Sequence, residues 1–263
     1  MPIRLTAAAV SDIGPHRTSN QDAAFTASWG AAVADGVGGG PSGDLASAAL
    51  VHRLVPSPLR ATDAEDLLVR IREANWDLRA HVQRDPSLQG MATTFTGLFL
   101  SAAGNLLLAH TGDSRAYLLR HAQLERQTRD DSYVQALVDS GLLAPEAAAS
   151  HPRRNIITAS LGGGEEDVIS VAERAPIIGD RWLLCSDGVS DYLDDEEIGL
   201  ALLRHRTVEE SAAALVSLAL QYGSRDNVTA VVCDIAEGPA GAEDAVFAGS
   251  ARELFHESLD ITA

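Results

Sequence analysis

Residues 93–126 read TTFTGLFLSAAGNLLLAHTGDSRAYLLRHAQLER, and four short apolar runs in this stretch decide the fold class. The runs cover 93–102, 105–111, 115–119 and 123–126. Only two or three residues separate each run from the next. Connections this short join neighbouring strands in antiparallel order, because a parallel crossover needs a dozen residues or more. The stretch therefore predicts an antiparallel sheet.

The rest of the chain groups strands with strands and helices with helices. Further strand-like runs lie at 5–13, 31–34, 168–171, 181–186 and 228–235. Helical patterns lie at 42–54, 64–84, 133–139, 145–149, from 194 onward and at 207–223. Capping boxes, in which two side chains satisfy the first free N–H groups of a helix, are indicated by Thr62 with Glu65, Asp194 with Glu197 and Thr207 with Glu210. This grouping predicts an α+β fold, an α-β-β-α sandwich of two packed antiparallel sheets flanked by helix pairs.

The charge of the chain excludes several classes of function. Its 263 residues include 37 acidic and 20 basic side chains, a formal net charge of −17, and every base is an arginine. Without lysine there is no P-loop, no protein-kinase site and no Schiff-base site. Strong acidity also argues against nucleic acid as a partner, because the phosphate backbone attracts basic faces. The same acidity is typical of a soluble monomer.

The two cysteines, Cys185 and Cys233, each lie in an apolar run, which predicts buried free thiols rather than a disulfide framework. Residues 1–10 lack the apolar core of a signal peptide. No run reaches the roughly 18 apolar residues that suggest a membrane span. We therefore expect a cytoplasmic protein without a membrane partner.

Aspartates recur where an apolar strand gives way to a polar or glycine-containing turn. They are Asp22, Asp35, Asp113, Asp187, Asp191 and Asp226. One such aspartate is an ordinary turn residue. If several strand ends converge, however, their carboxylates repel one another unless cations lie among them. Mg²⁺ and Mn²⁺ prefer oxygen ligands of this kind, so the pattern indicates a divalent metal site.

Eight motifs also resemble those of a known family, in the family's order. They are RTSNQD (17–22), DGVGG (35–39), GMATT (90–94), GDSRAY (112–117), TRDDS (128–132), HPRRNIIT (151–158), LCSDGVSD (184–191) and SRDNVT (224–229). Together they resemble the metal-dependent Ser/Thr protein phosphatases of type 2C, the PPM family, in its bacterial form. The resemblance covers about residues 3–236.

The resemblance implies a site for two ions, Mn²⁺ or Mg²⁺. It places Asp35 between the ions and the carbonyl of Gly36 on the second. It assigns Asp187 and Asp226 to the first ion. It assigns Asp22 to the second ion through water. Asp35, Asp187 and Asp226 are thereby expected to be essential to catalysis.

Three further roles follow from the same resemblance. Arg17 is expected to hold the substrate phosphate and to act in catalysis. Asp113 and Asp191 resemble ligands of a third, weaker metal. Residues 131–160 resemble a mobile flap within a catalytic domain of residues 1–237, and residues 238–263 form a tail of unknown role.

The implied function is hydrolysis of phosphoserine and phosphothreonine by direct attack of a metal-activated water. The implied partners are phosphorylated proteins, including a cognate Ser/Thr kinase or its substrates. Two alternatives stay open at this point. One is a phosphatase-like regulatory module without turnover, and the other is a hydrolase of small phosphate esters.

Competing patterns are weaker. GGGPSG at 38–43 fits G-x-G-x-x-G, but a dinucleotide fold needs a strand after the next helix, and here a second helix follows. The histidines lack zinc-site spacing, and no arginine lies six residues after Cys185. Two positions depart from the family: Val37 replaces a histidine common in eukaryotic members, and Asp131 occupies a place where histidine is frequent. Arg153 and Arg154 are interpreted as a solvated surface pair, with contact to substrate as the alternative.

Overall fold

The computed structural model describes residues 2–37, 42–55, 63–241 and 245–253. The strands are β1 (Ile3–Asp12), β2 (Asp22–Ala27), β3 (Gly30–Asp35), β4 (Phe95–Leu100), β5 (Leu106–Thr111), β6 (Arg115–Arg120), β7 (Gln123–Arg126), β8 (Ser170–Arg174), β9 (Arg181–Cys185), β10 (Val228–Glu237) and β11 (Val246–Gly249). The helices are α1 (Gly43–Leu54), α2 (Ala64–Arg84), α3 (Tyr133–Asp139), α4 (Pro145–Ala148), α5 (Asp187–Ser190), α6 (Asp195–Arg204) and α7 (Val208–Gln221).

The strands form two antiparallel sheets. The first has the order β1-β10-β9-β6-β7 and the second the order β11-β2-β3-β4-β5-β8. The predicted strands of 93–126 divide between them, because β4 and β5 pair in the second sheet while β6 and β7 pair in the first. The turn at 112–114 therefore carries the chain from one sheet to the other. This turn contains Asp113, one of the candidate aspartates.

Three apolar layers hold the sandwich together. The middle layer lies between the sheets and includes Trp182, Leu98 and Val231. One outer layer packs α1 and α2 on the second sheet, and the other packs α6 and α7 on the first. Burial of apolar surface on both faces of each sheet is the main stabilising contribution. The predicted α-β-β-α sandwich is confirmed.

The capping-box patterns predicted the starts of α6 and α7 correctly. Both capping boxes at α6 and α7 are present, with Asp194 and Thr207 as the N-cap residues. The helix at 64–84 was predicted correctly, but its N-cap was predicted one residue too early. Its N-cap is Asp63, whose side chain accepts a hydrogen bond from the backbone N–H of Asp66, whereas Thr62 lies outside the described residues.

Two strands were not predicted. β2 pairs with β3 in the middle of the second sheet, and β11 adds an edge strand beside β2. β11 lies within 238–263, the segment to which the sequence assigned no role. Ala251, just beyond it, is buried in the outer layer under α1.

The glycine-rich stretch at 38–43 does not open a dinucleotide fold. Residues 38–41 lie outside the described residues, but α1 is followed by α2 and then by an antiparallel strand, as the second-helix argument expected. Within the described segments, no helix combines the length and the apolar character that crossing a bilayer requires.

Candidate metal centre

Asp22 and Asp35 face each other across two neighbouring strands. Asp22 begins β2, Asp35 ends β3, and the register pairs them directly. Their backbones are fixed at this end of the sheet. The backbone N–H of Asp35 donates to the hydroxyl of Thr94 (3.1 Å), and the hydroxyl of Thr93 donates to the carbonyl of Asp35 (2.9 Å). Gly36 is required beside them, because a Cβ there would lie 2.3 Å from a backbone carbonyl.

Asp187 reaches the same end from the other sheet. It follows β9 and begins α5, and the preceding residue, Ser186, donates its hydroxyl to Oδ2 of Asp22 (2.8 Å). This bond joins the two sheets at the site. Gly188 allows α5 to lie against the start of β10, since a Cβ at this position would lie 1.9 Å from the carbonyl of Asn227.

Asp226 and Arg17 come together from opposite ends of the chain. The Arg17 guanidinium donates to Oδ2 of Asp226 at 2.5 Å. Asn227 fixes the loops around them. Its side-chain oxygen accepts from the backbone N–H of Gln21 (2.8 Å), and its side-chain nitrogen donates to the carbonyls of Ile13 and Ser19. Asn227 lies in the SRDNVT motif, but no role was predicted for it, because its partners are more than 200 residues away in the chain.

The electrostatics of the site are those of crowded carboxylates. Burial, together with the charge of Asp226, raises the pKa of Asp22 to about 6 although hydroxyl groups oppose the change. Burial and then the negative charges of neighbouring aspartates raise the pKa of Asp35 and Asp187 well above the ordinary value. Each carboxylate resists ionisation because others stand near it. A cation among them would offset this repulsion.

The donor set fits a hard divalent cation. In the described part of the chain, Oδ1 of Asp22 and Oδ1 of Asp187 are buried side-chain oxygens without a hydrogen-bond partner. Such oxygens are rare in folded proteins, and a metal ion is one of the partners that can satisfy them. Among the same residues, no three His, Cys, Asp or Glu side chains are arranged so that they could hold a metal ion together, so binding would require the carboxylates to move closer to one another. The acids thus gather at one end of the sandwich with coordinating oxygens available.

A family comparison agrees with this geometry. Residues 16–221 match the family model described as Protein phosphatase 2C. The chain belongs to the protein phosphatase 2C family. A curated relative, the serine/threonine protein phosphatase PstP of Mycobacterium tuberculosis, is 42% identical over 251 residues, which are 92% of this chain and 47% of that protein. The serine/threonine phosphatase stp of Listeria monocytogenes is 32% identical over 77% of this chain and 82% of its own length.

Solved structures of phosphatase 2C relatives share the fold. The M. tuberculosis PstP/Ppp structure superposes with a TM-score of 0.82 at 40% identity, covering 89% of this chain and all of that one. The PstP catalytic domain in complex with two manganese ions gives 0.80 at 39% identity, again covering 89% of this chain and all of that one. The chain spans about half the length of the PstP protein that it matches. The sequence-based assignment to this family is confirmed.

The third pair of predicted phosphatase 2C aspartates lies beside the first four. Burial and then the charges of Asp130 and Asp191 raise the pKa of Asp113 to about 7. Asp191 ends α5, and its Oδ2 accepts from Nε of Arg154 at 3.3 Å. Arg154 is therefore not merely solvated, as the sequence indicated, but joins the flap segment to this pair.

Asp131 holds the base of residues 131–160, the segment predicted to be a flap from the resemblance to phosphatase 2C. Its Oδ2 accepts from the backbone N–H of Gly112 (3.0 Å), and its own N–H donates to the Gly112 carbonyl (2.7 Å). Its carbonyl accepts from the N–H of Thr158 (2.7 Å) at the other end of the segment. The departure from histidine at this position thus has a structural consequence, since a carboxylate closes the base of the flap next to Asp113.

Two partly buried arginines around the buried Asp130 support the same region of this phosphatase 2C chain. Arg115 contacts Asp130 with two nitrogens and also lies 3.4 Å from the carbonyl of Ser190. Arg126 contacts Asp130 as well. Asp130 precedes the flap and Ser190 precedes Asp191, so Arg115 links the flap base to α5. The sequence analysis missed this cluster because only the pairing of β6 with β7 brings Arg115 and Arg126 together beside Asp130.

Proposed function

We propose that this chain is a metal-dependent phosphatase that hydrolyses phosphoserine and phosphothreonine in proteins. The proposal is carried by one observation: aspartates from both sheets meet at one end of the sandwich, where two buried carboxylate oxygens have no partner among the described residues. The names of its relatives and the two manganese ions in the PstP structure support the same conclusion.

The charge balance explains how an acidic protein can accept a phosphate. Asp22, Asp35, Asp187 and Asp226 contribute −4 when ionised, and two divalent ions would contribute +4. The charges of Asp22, Asp187 and Asp226 all act on Asp35, so Asp35 would hold both ions, and the Gly36 carbonyl would hold the second. When bound, such ions lower the pKa of water and polarise phosphoryl oxygens. The aspartates then orient the reacting groups for in-line attack without a protein nucleophile.

Arg17 is proposed as the group that holds the substrate phosphate. It lies on Asp226, at the edge of the aspartate cluster, and its side chain is 36% exposed. A guanidinium has five N–H donors, so contact with one carboxylate oxygen leaves donors for a phosphate dianion. The bond to Asp226 also aims the guanidinium at the cluster. Asp113 and Asp191 are proposed as ligands of a third, weaker ion.

The substrates proposed are phosphorylated proteins, including a cognate Ser/Thr kinase or the proteins that it phosphorylates. Relatives of this chain are named serine/threonine phosphatases, which supports this class of substrate. We further propose a catalytic domain over 1–237 with its flap at 131–160, a cytoplasmic location and a monomer.

A matched pair of variants tests the proposal. We expect Mn²⁺-dependent release of phosphate from a phosphothreonine peptide. Asp187→Asn should abolish this activity while preserving the fold, because one of the converging carboxylates is lost without a change in size. Asp77→Asn, which alters a half-exposed aspartate on α2 away from the site, should keep full activity.

Two results would contradict the proposal. Full activity in EDTA would exclude a metal-dependent reaction, and full activity of Asp187→Asn would exclude this site. Absence of turnover on every phosphopeptide would favour the regulatory module without turnover. Comparison of kcat/KM on phosphopeptides and on small phosphate esters separates a protein phosphatase from a metabolite hydrolase.

A further inference from the structure

A segment near the end of the described chain packs beside β2 and contacts the backbone of Asp22 at the metal centre. This segment, residues 245–253, contains β11 and is called the clasp below. β11 runs antiparallel to β2, and its last register pair joins Gly249 to Ala23, the neighbour of Asp22. β11 thus ends beside Asp22, the residue that faces Asp35.

Gly249 turns the chain across the backbone of Asp22. Its φ is +65°, a left-handed conformation that glycine adopts without strain. A Cβ at this position would lie 2.1 Å from the Asp22 carbonyl oxygen. The close approach therefore requires glycine for two independent reasons. The turn at Gly249 places the next residue directly against the Asp22 backbone.

That next residue is Ser250, which is 1% exposed. Its hydroxyl donates to the Asp22 carbonyl at 3.0 Å and lies 3.0 Å from the hydroxyl of Ser47 on α1. Ser47, which is fully buried, donates in turn to the carbonyl of Gln21 at 2.6 Å. Two buried hydroxyls therefore hold two successive carbonyls of the chain, that of Gln21 and that of Asp22 itself.

The clasp is also anchored on α1. The Nε2 of His52 lies 2.6 Å from the carbonyl of Ala251, and its ring stacks on Phe247 with a centroid separation of 4.0 Å. Ala251 is 1% exposed. These contacts lie on both sides of Ser250 in the sequence, so they fix the hydroxyl against β2.

We propose that Ser250 is a positioning residue that sets the direction of the Asp22 carboxylate toward the second metal ion. The proposal rests on the metal role of Asp22 proposed above. The Asp22 side chain has one oxygen on Ser186 and the other without a partner among the described residues, so its backbone decides where the second oxygen points. Releasing the Asp22 carbonyl would let this end of β2 shift and would weaken metal binding more than it weakens the fold.

The test measures Mn²⁺ binding by calorimetry on the folded, metal-free chain. Ser250→Ala should raise the Kd of the second core ion, the one that Asp22 holds, about fivefold, the factor that corresponds to one buried hydrogen bond. The Mn²⁺ concentration for half-maximal activity should rise by the same factor. Ser47→Ala, which acts on the neighbouring carbonyl, should give a similar change and serves as a second variant if the first folds poorly. Val246→Ala, on an exposed side chain of the same strand, should bind Mn²⁺ as the wild type does.

Three results decide the matter. Weaker Mn²⁺ binding by Ser250→Ala, with Val246→Ala unchanged, supports the proposal even if no phosphopeptide is hydrolysed, so the proposed function can fail separately. Unchanged Mn²⁺ binding by a folded Ser250→Ala overturns the proposal whatever the activity. Ser250→Ala could also lose the same thermal stability with and without Mn²⁺ while its Kd stays unchanged. That result assigns Ser250 a structural role only and also overturns the proposal.

Discussion

Without metal, a variant that lacks the charge of Asp22 should be more stable than the wild type. With metal bound, the same variant should be less stable than the wild type. In the metal-free chain, Asp22 is a buried carboxyl beside other acids, and hydrogen bonds with Thr229, Ser186 and Asp35 favour its ionised form only in part. Asp22→Asn keeps the size of the side chain and removes the charge. We therefore expect the variant to be the more stable protein at neutral pH without metal.

The magnitude follows from the pKa of the group. Burial raises the pKa of Asp22 from 3.8 to about 6. One pKa unit corresponds to about 1.4 kcal/mol, so the ionised group costs the folded protein about 3 kcal/mol. Because the folded-state pKa is the higher one, this cost is absent below pH 3.8, grows between pH 3.8 and 6, and is complete above pH 6. The advantage of Asp22→Asn should grow with pH in the same way.

Urea unfolding of both proteins in EDTA, at several pH values between 5 and 8, measures this difference. Repeating the series in Mn²⁺ should reverse the order, because a ligand that binds only the folded state stabilises the protein that binds it more tightly. Equal stabilities of the two metal-free proteins across the whole pH range would refute the reasoning. So would a wild type that gains nothing from Mn²⁺.

Three other substitutions have definite expectations. Arg17→Ala should raise KM for a phosphopeptide about tenfold or more, the effect of one charge-assisted hydrogen bond, with little change in the unfolding temperature. Gly188→Ala should lower the free energy of unfolding by about 3 kcal/mol or more, because a Cβ would lie 1.9 Å from a backbone carbonyl. Gly199→Ala inside α6 is the control: a Cβ has room there, so this substitution should raise the free energy of unfolding by about 0.5–1 kcal/mol. Asp131→Ala should speed amide hydrogen exchange across 131–160, while Asp131→Asn keeps an acceptor for Gly112 and should change it less.

The sequence predicted what is local. The helix starts at Asp194 and Thr207 each depend on residues three positions apart, and both capping boxes were found. The strands within 93–126 are bounded by turns that the sequence shows directly. β2 was missed because Asp22–Ala27 contains three alanines and no apolar alternation, so only its neighbours in the sheet make it a strand. β11 was missed because four residues carry too little pattern to be recognised alone.

The candidate aspartates were identified from strand ends and family motifs, and the structure brings them to one end of the sandwich. What supports them could not be predicted. Contacts to residues more than 160 positions away are made by Ser186, Asn227 and Ser250. No periodicity or spacing in the sequence predicts such contacts. Long-range hydrogen bonds are products of the folded topology rather than of local preference.

The most direct measurement is a crystal structure of this chain grown with Mn²⁺. We predict two ions, with Asp35 between them, Asp187 and Asp226 on one and Asp22 directed at the other. A structure in which Asp35, Asp187 and Asp226 point to separate places, with no ion among them, would contradict it.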